Sequence, residues 1–355
     1  MTANDQLVEA AKAGNIGQIK QALASGADDY ESALAWAAYS GQMDAVKLLV
    51  EKGARDFDSA MRSAAEKGHI NIVRLMLDRN ARDYNGVLRA ASFGGFIDIV
   101  KLALAKGADD YNRAMEEAAG IGNIAIVRLM IDKGAKDFNR AMEAASHGGH
   151  MEIINLMIEK GAKDFDMAME AAAGGGKMDI VKFMMDKGAK NYNGSMCRAA
   201  EDGQTDMVKF MISKGANNFA RVLSCAAEGG QAEIAKMMIE KGAVEFNDAL
   251  RSAAGKGHIV IVKLMLEKGA NDFNSALVAA ATGGFADIVS LMLDKGATTG
   301  NKALAWAASE GHTEAIQAII EKGKCNIDEV IESAEKQGRK KIAKVLREAK
   351  AKNTK

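Results

Sequence analysis

Histidine and cysteine are the residues of this sequence that would suit a metal site or a nucleophile. Four of the five histidines directly follow a glycine. They are His69, His150, His258 and His312. Metal ligands must converge on one ion, whereas these histidines are separated by multiples of 27 residues. We expect them to be turn residues that bond neighbouring backbone, and we predict no metal-ligating residues.

The cysteines form no recognisable framework. Cys197, Cys225 and Cys325 are too few and too irregularly spaced for a set of disulfides or a zinc site. A reducing compartment suits three such thiols. We therefore expect no disulfide.

A glycine-rich run, "AAAGGGKMDIVKF" over residues 171–183, invites comparison with a phosphate-binding loop. Such a loop needs G-x-x-x-x-G-K-[ST] after a buried strand, but Lys177 is followed by Met178 and preceded by a helical pattern. No Ser-His-Asp or Cys-His arrangement can be argued either. We predict no catalytic residues, no cofactor and no enzyme activity.

The glycines instead mark a repeat. A Gly-Ala pair recurs every 27 residues, with Asn80 and Gly323 completing the series, and a second glycine series runs from Gly14 to Gly338 on the same period. Self-similarity at a fixed period is typical of repeat architectures. We expect a single repeat domain over residues 1–355, with an N-terminal capping repeat (1–26), internal repeats (27–323) and a C-terminal capping repeat with a basic tail (324–355).

The unit from Gly134 to Lys160 predicts two helices. Asn139 is of a type that caps a helix start, and Gly149 is of the type that ends one in the left-handed conformation. The following stretch, "HMEIINLMIEK", carries a narrow polar stripe on an otherwise apolar helix. Such a helix has to lie between neighbours.

Three rows of residues predict the contacts between units. An alanine recurs from Ala37 to Ala307 and would allow close helix packing, and a methionine row from Met130 to Met292 would fill the second-helix core. A Met-rich binding surface is the less favoured alternative. An aromatic residue recurs from Tyr30 to Phe273, next to each helix start, and we interpret these rings as core between units, not as a ligand box.

The segments "AASHGGHMEIINLMIEKGA" and "SAAEKGHINIVRLMLDRNA" resemble the ankyrin-repeat family. The resemblance covers the whole chain, but the unit is about six residues shorter than usual and lacks the Thr-Pro-Leu-His start. It implies an all-α, ankyrin-like solenoid of about 13 stacked helix-turn-helix units without β-turn fingers. Short units of this kind look like ankyrin proteins of giant viruses that infect amoebae.

Function in such an array resides in the positions that do not repeat. The resemblance places the variable residues beside the alanine pair on the concave face, where they would bind a protein partner. Aromatic and arginine side chains are enriched at interface hot spots. We predict partner-binding residues at Trp36, Tyr39, Arg62, Glu66, Arg89, Phe93, Glu116, Ile121 and His147. An alternative for the tryptophans is packing against the capping repeats.

Charge and hydropathy limit the partner classes. The formal net charge is zero, so a chain-wide electrostatic surface for nucleic acid is not favoured. No apolar run approaches the ~20 residues of a spanning helix, and the start lacks signal-peptide features, so we expect no membrane partner and a cytoplasmic location, in the host if the source is viral. The basic end, from Arg339 to Lys355, is interpreted as a solvated cap, with a nuclear address or nucleic-acid contact as the alternative.

The sequence thus predicts a non-catalytic protein-protein interaction scaffold that binds along the concave face. The alternative is a structural or assembly protein that self-associates through its terminal or convex faces, which a neutral net charge would not oppose.

Overall fold

The computed structural model describes residues 1–322 and 325–353, and every regular element in these ranges is an α-helix. Helices alternate between a first and a second helix of each repeat. The first helices are α1 (Ala3–Ala13), α3 (Tyr30–Tyr39), α5 (Phe57–Glu66), α7 (Tyr84–Gly94), α9 (Tyr111–Gly120), α11 (Phe138–Gly148), α13 (Phe165–Gly174), α15 (Tyr192–Glu201), α17 (Phe219–Glu228), α19 (Phe246–Lys256), α21 (Phe273–Gly283), α23 (Gly300–Glu310) and α25 (Ile327–Lys336). The second helices are α2 (Ile16–Ala24), α4 (Met43–Lys52), α6 (Ile70–Asp78), α8 (Ile97–Ala105), α10 (Ile124–Lys133), α12 (Met151–Glu159), α14 (Met178–Asp186), α16 (Thr205–Ser213), α18 (Ala232–Glu240), α20 (Ile259–Glu267), α22 (Ala286–Asp294), α24 (Thr313–Glu321) and α26 (Lys340–Asn353). These 26 helices confirm an all-α array of 13 helix-turn-helix repeats in the described ranges.

The helices group into two compact units, Met1–Ala168 and Met169–Lys355. In the first unit, α1, α3, α5, α7, α9 and α11 pack side by side in chain order. In the second unit, the same holds for α15, α17, α19, α21, α23 and α25. The predicted boundary at Gly323 and the basic residue Lys355 lie outside the described residues.

Both kinds of helix end as the glycine pattern predicts. α11 is followed by Gly149, whose φ of 96° is left-handed. Asn80 follows α6 with a φ of 67° and is the one residue other than glycine with positive φ in the described ranges. Asparagine tolerates this conformation better than most residues because its short polar side chain can bond locally. Asn80, the exception to the Gly-Ala series, therefore keeps the left-handed conformation that glycine adopts in the other repeats.

The helix starts differ from the prediction. α11 begins at Phe138, and its N-cap is Asp137, whose carboxylate accepts a hydrogen bond from the backbone N–H of Arg140 at 3.4 Å. Asn139 is the second helical residue and does not cap α11. Its side-chain oxygen accepts from the backbone N–H groups of Lys163 at 2.8 Å and Asp164 at 3.1 Å, at the start of the next repeat. The capping prediction for Asn139 was wrong because the aspartate before the aromatic residue already supplies the cap.

This contact recurs, and we call it the asparagine clip: a side-chain oxygen at the second position of a first helix accepts from two successive backbone N–H groups of the next repeat. It ties neighbouring repeats at their N-terminal edge and satisfies donors that a short loop would otherwise expose. Further clips are formed by Asn4, Glu31, Asp58, Asn85, Asn112, Asn193, Asn247 and Asn274.

The core lies between the helices, as the alanine and methionine rows predict. Ala37, Ala145 and Ala253 are fully buried, as is every other alanine of that row. Met130 and Met292 are fully buried too, together with the methionines between them in the row, so the row is core and not a binding surface. The aromatic residues from Tyr30 to Phe273 are half-buried at the first position of the first helices from α3 to α21.

Candidate functional site

The predicted partner-binding residues all lie in the first unit, on the first helices or directly after them. They are Trp36 and Tyr39 on α3, Arg62 and Glu66 on α5, Arg89 and Phe93 on α7, Glu116 on α9, Ile121 after α9, and His147 on α11. None of the nine is buried, because the alanine pair of each helix occupies the packed side. They form what we call the first-helix surface.

Trp36 and Tyr39 form a pair of rings with a lysine at each end of the row. Their ring centroids lie 5.5 Å apart at an interplanar angle of 71°, an edge-to-face contact. The Lys12 ammonium lies 5.0 Å from the Trp36 ring centroid, and the Lys67 ammonium lies 4.7 Å from that of Tyr39. A hydrogen bond to Tyr39 raises the pKa of Lys67. This row joins α1, α3 and the end of α5.

Next to this row, α5, α7 and α9 line an open cleft of about 850 Å³ that contains Arg62, Glu66, Arg89 and Phe93. The Phe93 ring is 51% exposed at its rim. Arg62 crosses the start of α7, and its Nη1 donates to the Asp83 carboxylate at 2.5 Å. The cleft thus combines an apolar anchor with fixed charges.

Gly86 makes this crossing possible. A Cβ at Gly86 would lie 2.5 Å from the Arg62 Cδ and 2.2 Å from an Asp83 carboxylate oxygen. Any larger residue would displace one of these side chains. The floor of the cleft therefore depends on a glycine that lies within a helix.

Arg89 and Glu117 dominate the electrostatics of the cleft. The Arg89 Nε is buried without a hydrogen-bond partner. Burial is the main cause that raises the pKa of Glu117, the charge of Arg89 opposes this rise, and Glu116 adds to it. A half-buried carboxyl group and a guanidinium thus share one wall.

A second cleft of about 530 Å³ continues along α9 and α11. It shares Arg89 and Glu117 with the first cleft and adds Glu116, Arg113 and Arg140. The two clefts thus bring together the predicted residues from Arg62 to Glu116. Acidic and basic side chains are interspersed along the walls of both clefts.

Ile121 and His147 lie at the edges of this surface. Ile121 is 40% exposed and caps the C-terminal end of α9, and its Cδ1 lies 3.4 Å from where a Cβ at Gly95 would be. His147 is exposed in the last turn of α11. Neither residue lines the two clefts.

Comparison with known proteins fits this architecture. The family model for ankyrin repeats (three copies) matches residues 7–87, 141–222, 196–275 and 250–331, which is more than half of the chain. The chain belongs to the ankyrin-repeat family. A search of curated proteins returned no match. Ankyrin repeats are in general protein-protein interaction modules.

The repeats of this ankyrin-repeat chain differ from the usual form in the way that the short period predicts. Residues 160–164 connect α12 directly to α13, and the described residues contain no strand. In the glycine-rich run, α13 ends at Gly174 and α14 begins at Met178. The run is therefore a helix-turn-helix corner and not a phosphate-binding loop.

The four turn histidines bond neighbouring backbone, as predicted. The Nε2 atoms of His69 and His150 lie 3.1 Å from the carbonyl oxygens of Tyr39 and Gly120 in the preceding repeat. His258 and His312 repeat this contact at 3.0 Å. In the described part of the chain, no three His, Cys, Asp or Glu side chains are placed to hold one metal ion.

Three basic residues of the C-terminal helix form ion pairs with acidic residues. Lys350 forms an ion pair with Asp328 of α25 at 2.5 Å, Arg347 pairs with Glu335 of α25, and Lys344 lies 3.9 Å from Glu348. These contacts favour the solvated cap over a free basic surface. Within residues 1–322 and 325–353, no helix is long and apolar enough to cross a membrane.

The expectation of no disulfide was wrong. Cys197 and Cys225 are joined in a disulfide, with their Cα atoms 5.6 Å apart. Their separation of 28 residues is one repeat plus one position, which places them on the adjacent first helices α15 and α17. The irregular spacing in sequence concealed this proximity. Cys325 is a free thiol.

Sequence reasoning missed several residues of the ankyrin-repeat surface. Glu117, Asp83 and Asp110 line the first cleft, and Lys12 and Lys67 contact the aromatic row. The repeat could have indicated Glu117, because Glu117 stands three periods after the predicted site residue Trp36. The two lysines carried no such signal because they are ordinary surface residues in the sequence.

Proposed function

We propose that this ankyrin-repeat protein is a non-catalytic scaffold that binds a protein partner along the first-helix surface, the face that is concave in ankyrin-repeat proteins. One observation carries the proposal: two clefts that share Arg89 run from α5 to α11, with the exposed Phe93 ring at their rim. Arginine and aromatic anchors are typical of interface hot spots. Trp36 and Tyr39 extend this surface towards α1.

The double variant Arg89→Ala/Phe93→Ala tests this proposal. Wild-type and variant chains are used as baits in the cytosol of the native source, and the captured proteins are quantified by mass spectrometry. Each truncation removes about 1 kcal/mol or more of binding free energy, so the specific partner is lost at least roughly tenfold. Phe93 is exposed and Arg89 is half-buried beside Glu117, so the variant should remain folded with at most a small fall in melting temperature, which is measured alongside.

Matched controls come from the second unit. Arg251 occupies the position of Arg89 six periods later, and Val260 is an apolar side chain with 65% exposure on a second helix. Arg251→Ala and Val260→Ser should capture the same partner as the wild type. Equal capture by the Arg89→Ala/Phe93→Ala chain would contradict the proposed surface.

Self-association is the second candidate function, and two exposed valines favour it. Val244 is 68% exposed before α19, and Val260 is exposed on α20, where most other repeats carry polar residues. Light scattering at two protein concentrations separates the candidates. Growth of the particle with concentration, abolished by Val244→Ser/Val260→Ser, would support assembly, whereas a constant mass would exclude it.

Three broader points belong to the same proposal. The repeats form one domain from the N-terminal cap to the C-terminal cap, no nucleic acid is bound, and the protein acts in the cytoplasm. A viral source, with action in the host cytoplasm, follows from the short-repeat resemblance. Fractionation of cells that express the native gene tests the location.

A further inference from the structure

Cys197 and Cys225 link two repeats that are also held by hydrogen bonds at both edges. At the N-terminal edge, Asn193 forms an asparagine clip with the backbone of Asn217 at 2.9 Å and of Asn218 at 3.0 Å. At the other edge, the Gln231 amide donates to the Glu201 carbonyl at 3.4 Å. Cys197 on α15 and Cys225 on α17 are half-buried, so each residue is partly exposed to solvent.

The next junction, between α17 and α19, lacks one of these ties. Ala220 stands at the clip position of α17 and has no side-chain acceptor. The backbone N–H of Val244 donates instead to the side chain of its neighbour Glu245 at 3.1 Å, and Glu245 makes no side-chain capping bond to α19. The N-terminal edge of this junction is therefore held by helix packing alone.

The opposite edge of the same junction is intact. His258 Nε2 lies 3.0 Å from the Glu228 carbonyl oxygen, and the Lys256 ammonium lies 3.2 Å from the Glu228 carboxylate. An opening of the junction would thus begin at Val244 and proceed along α17. In a repeat array such an opening spreads from neighbour to neighbour.

We propose that Cys197 and Cys225 are a reversible covalent modification site for low-molecular-weight disulfides, and that their bond decides whether opening at the Ala220–Val244 edge spreads through α17 into α15. With the bond formed, α17 cannot separate from α15. With the thiols reduced, the repeat of α17 and α18 can open on both sides.

The chemistry is thiol–disulfide exchange. The thiolate of one cysteine attacks a sulfur of a small disulfide such as oxidised glutathione, which forms a mixed disulfide and releases one thiol. The second cysteine attacks the protein sulfur of that mixed disulfide and releases the other thiol. The protein pair loses two electrons and two protons, and the small disulfide gains both as two thiols. An excess of small thiol reverses the two steps.

Cys325 is the internal comparison. It is half-buried without a second cysteine nearby, and burial raises the pKa of its thiol. It can therefore form at most a mixed disulfide, and it reacts slowly. A Cys325→Ser background leaves only the pair to be measured.

Thiol counting on the full chain tests the modification. The Cys325→Ser protein is equilibrated in glutathione buffers of different redox ratio, and its free thiols are counted by mass spectrometry after alkylation. Oxidising buffers should remove both thiols together, without a persistent glutathione adduct, and excess reduced glutathione should restore both. Two free thiols throughout, or two stable glutathione adducts, would overturn the proposal.

Hydrogen exchange of the same samples tests the structural consequence. Reduction should speed exchange of the α17 amides by about tenfold and leave the α3 amides unchanged. Ala220→Asn restores the missing acceptor and should remove most of that difference, while Ala232→Asn, at the start of α18, should not. Equal exchange in oxidised and reduced chains would show that the bond does not control opening. The comparison leaves Cys197 and Cys225 themselves unsubstituted.

Discussion

Glu117 shows how burial and neighbouring charge compete at one carboxyl group. Burial raises its pKa, Arg89 acts in the opposite direction, and the rise prevails. The folded protein therefore binds this proton more tightly than the unfolded chain. Stability from this group is fully present below the unfolded pKa of about 4.3 and is lost as pH rises through the folded pKa.

Glu117→Gln should accordingly stabilise the protein at pH 7, with the difference from wild type shrinking towards pH 4 because both forms are then neutral. Urea denaturation at the two pH values measures this. Glu152→Gln removes the same charge from a side chain with 72% exposure and should show no such trend. A Glu117→Gln chain that is less stable at pH 7 would mean that the Arg89 contact outweighs burial.

At the scale of the element, the asparagine clip connects the first helix of one repeat to the backbone of the next repeat. Asn247 accepts from the backbone N–H groups of Asn271 at 2.8 Å and Asp272 at 3.0 Å. Asn247→Ala leaves these two donors to water and should cost about 1–2 kcal/mol of local stability. Urea melts followed by hydrogen exchange at α21 would detect the loss.

The matched control keeps the acceptor. Asn247→Asp should retain most of the stability, because Asp58 forms the same clip with the backbone of Arg82 and Asp83. If alanine and aspartate at this position were equally stable, the clip would be a consequence of helix packing and not a contributor to it.

The disulfide acts on the same scale. Its 28-residue loop would reduce the entropy of the unfolded chain by an amount worth about 3–4 kcal/mol in the chain-entropy model. This exceeds the contribution of one clip. A change of redox state should therefore affect the α15–α17 junction more than any single hydrogen bond there.

At the scale of the whole molecule, stability should be distributed over repeats, since each repeat packs on its chain neighbours within a compact unit. Ala253 of α19 is fully buried in such a junction. Ala253→Asp places an unpaired charge there at a cost of several kcal/mol. Hydrogen exchange should show loss of protection in α17–α21 while α3–α7 remain protected.

Lys263→Asp is the control, because it introduces the same residue at an exposed position of the same repeat. It should leave protection unchanged. A single cooperative loss of protection throughout both units after Ala253→Asp would contradict distributed stability.

Much of the fold follows from short-range patterns in the sequence. The left-handed residues Gly149 and Asn80, the buried alanine row and the buried methionine row were all predictable, because helix ends and apolar periodicity are local properties that recur in every repeat. The placement of Arg89 and Phe93 on one exposed surface was also predictable, since they stand four residues apart on α7 and such residues share a helix face.

Only the tertiary structure decided what one repeat does to the next. The amide of Asn139 reaches the following repeat and does not cap its own helix, Cys197 meets Cys225 from an offset position, and Glu117 and Arg89 share a wall. Each of these contacts depends on the offset between adjacent helices at the level of single side chains. The period specifies which helices are neighbours. The offset between them arises from packing and cannot be predicted from the sequence of a single repeat.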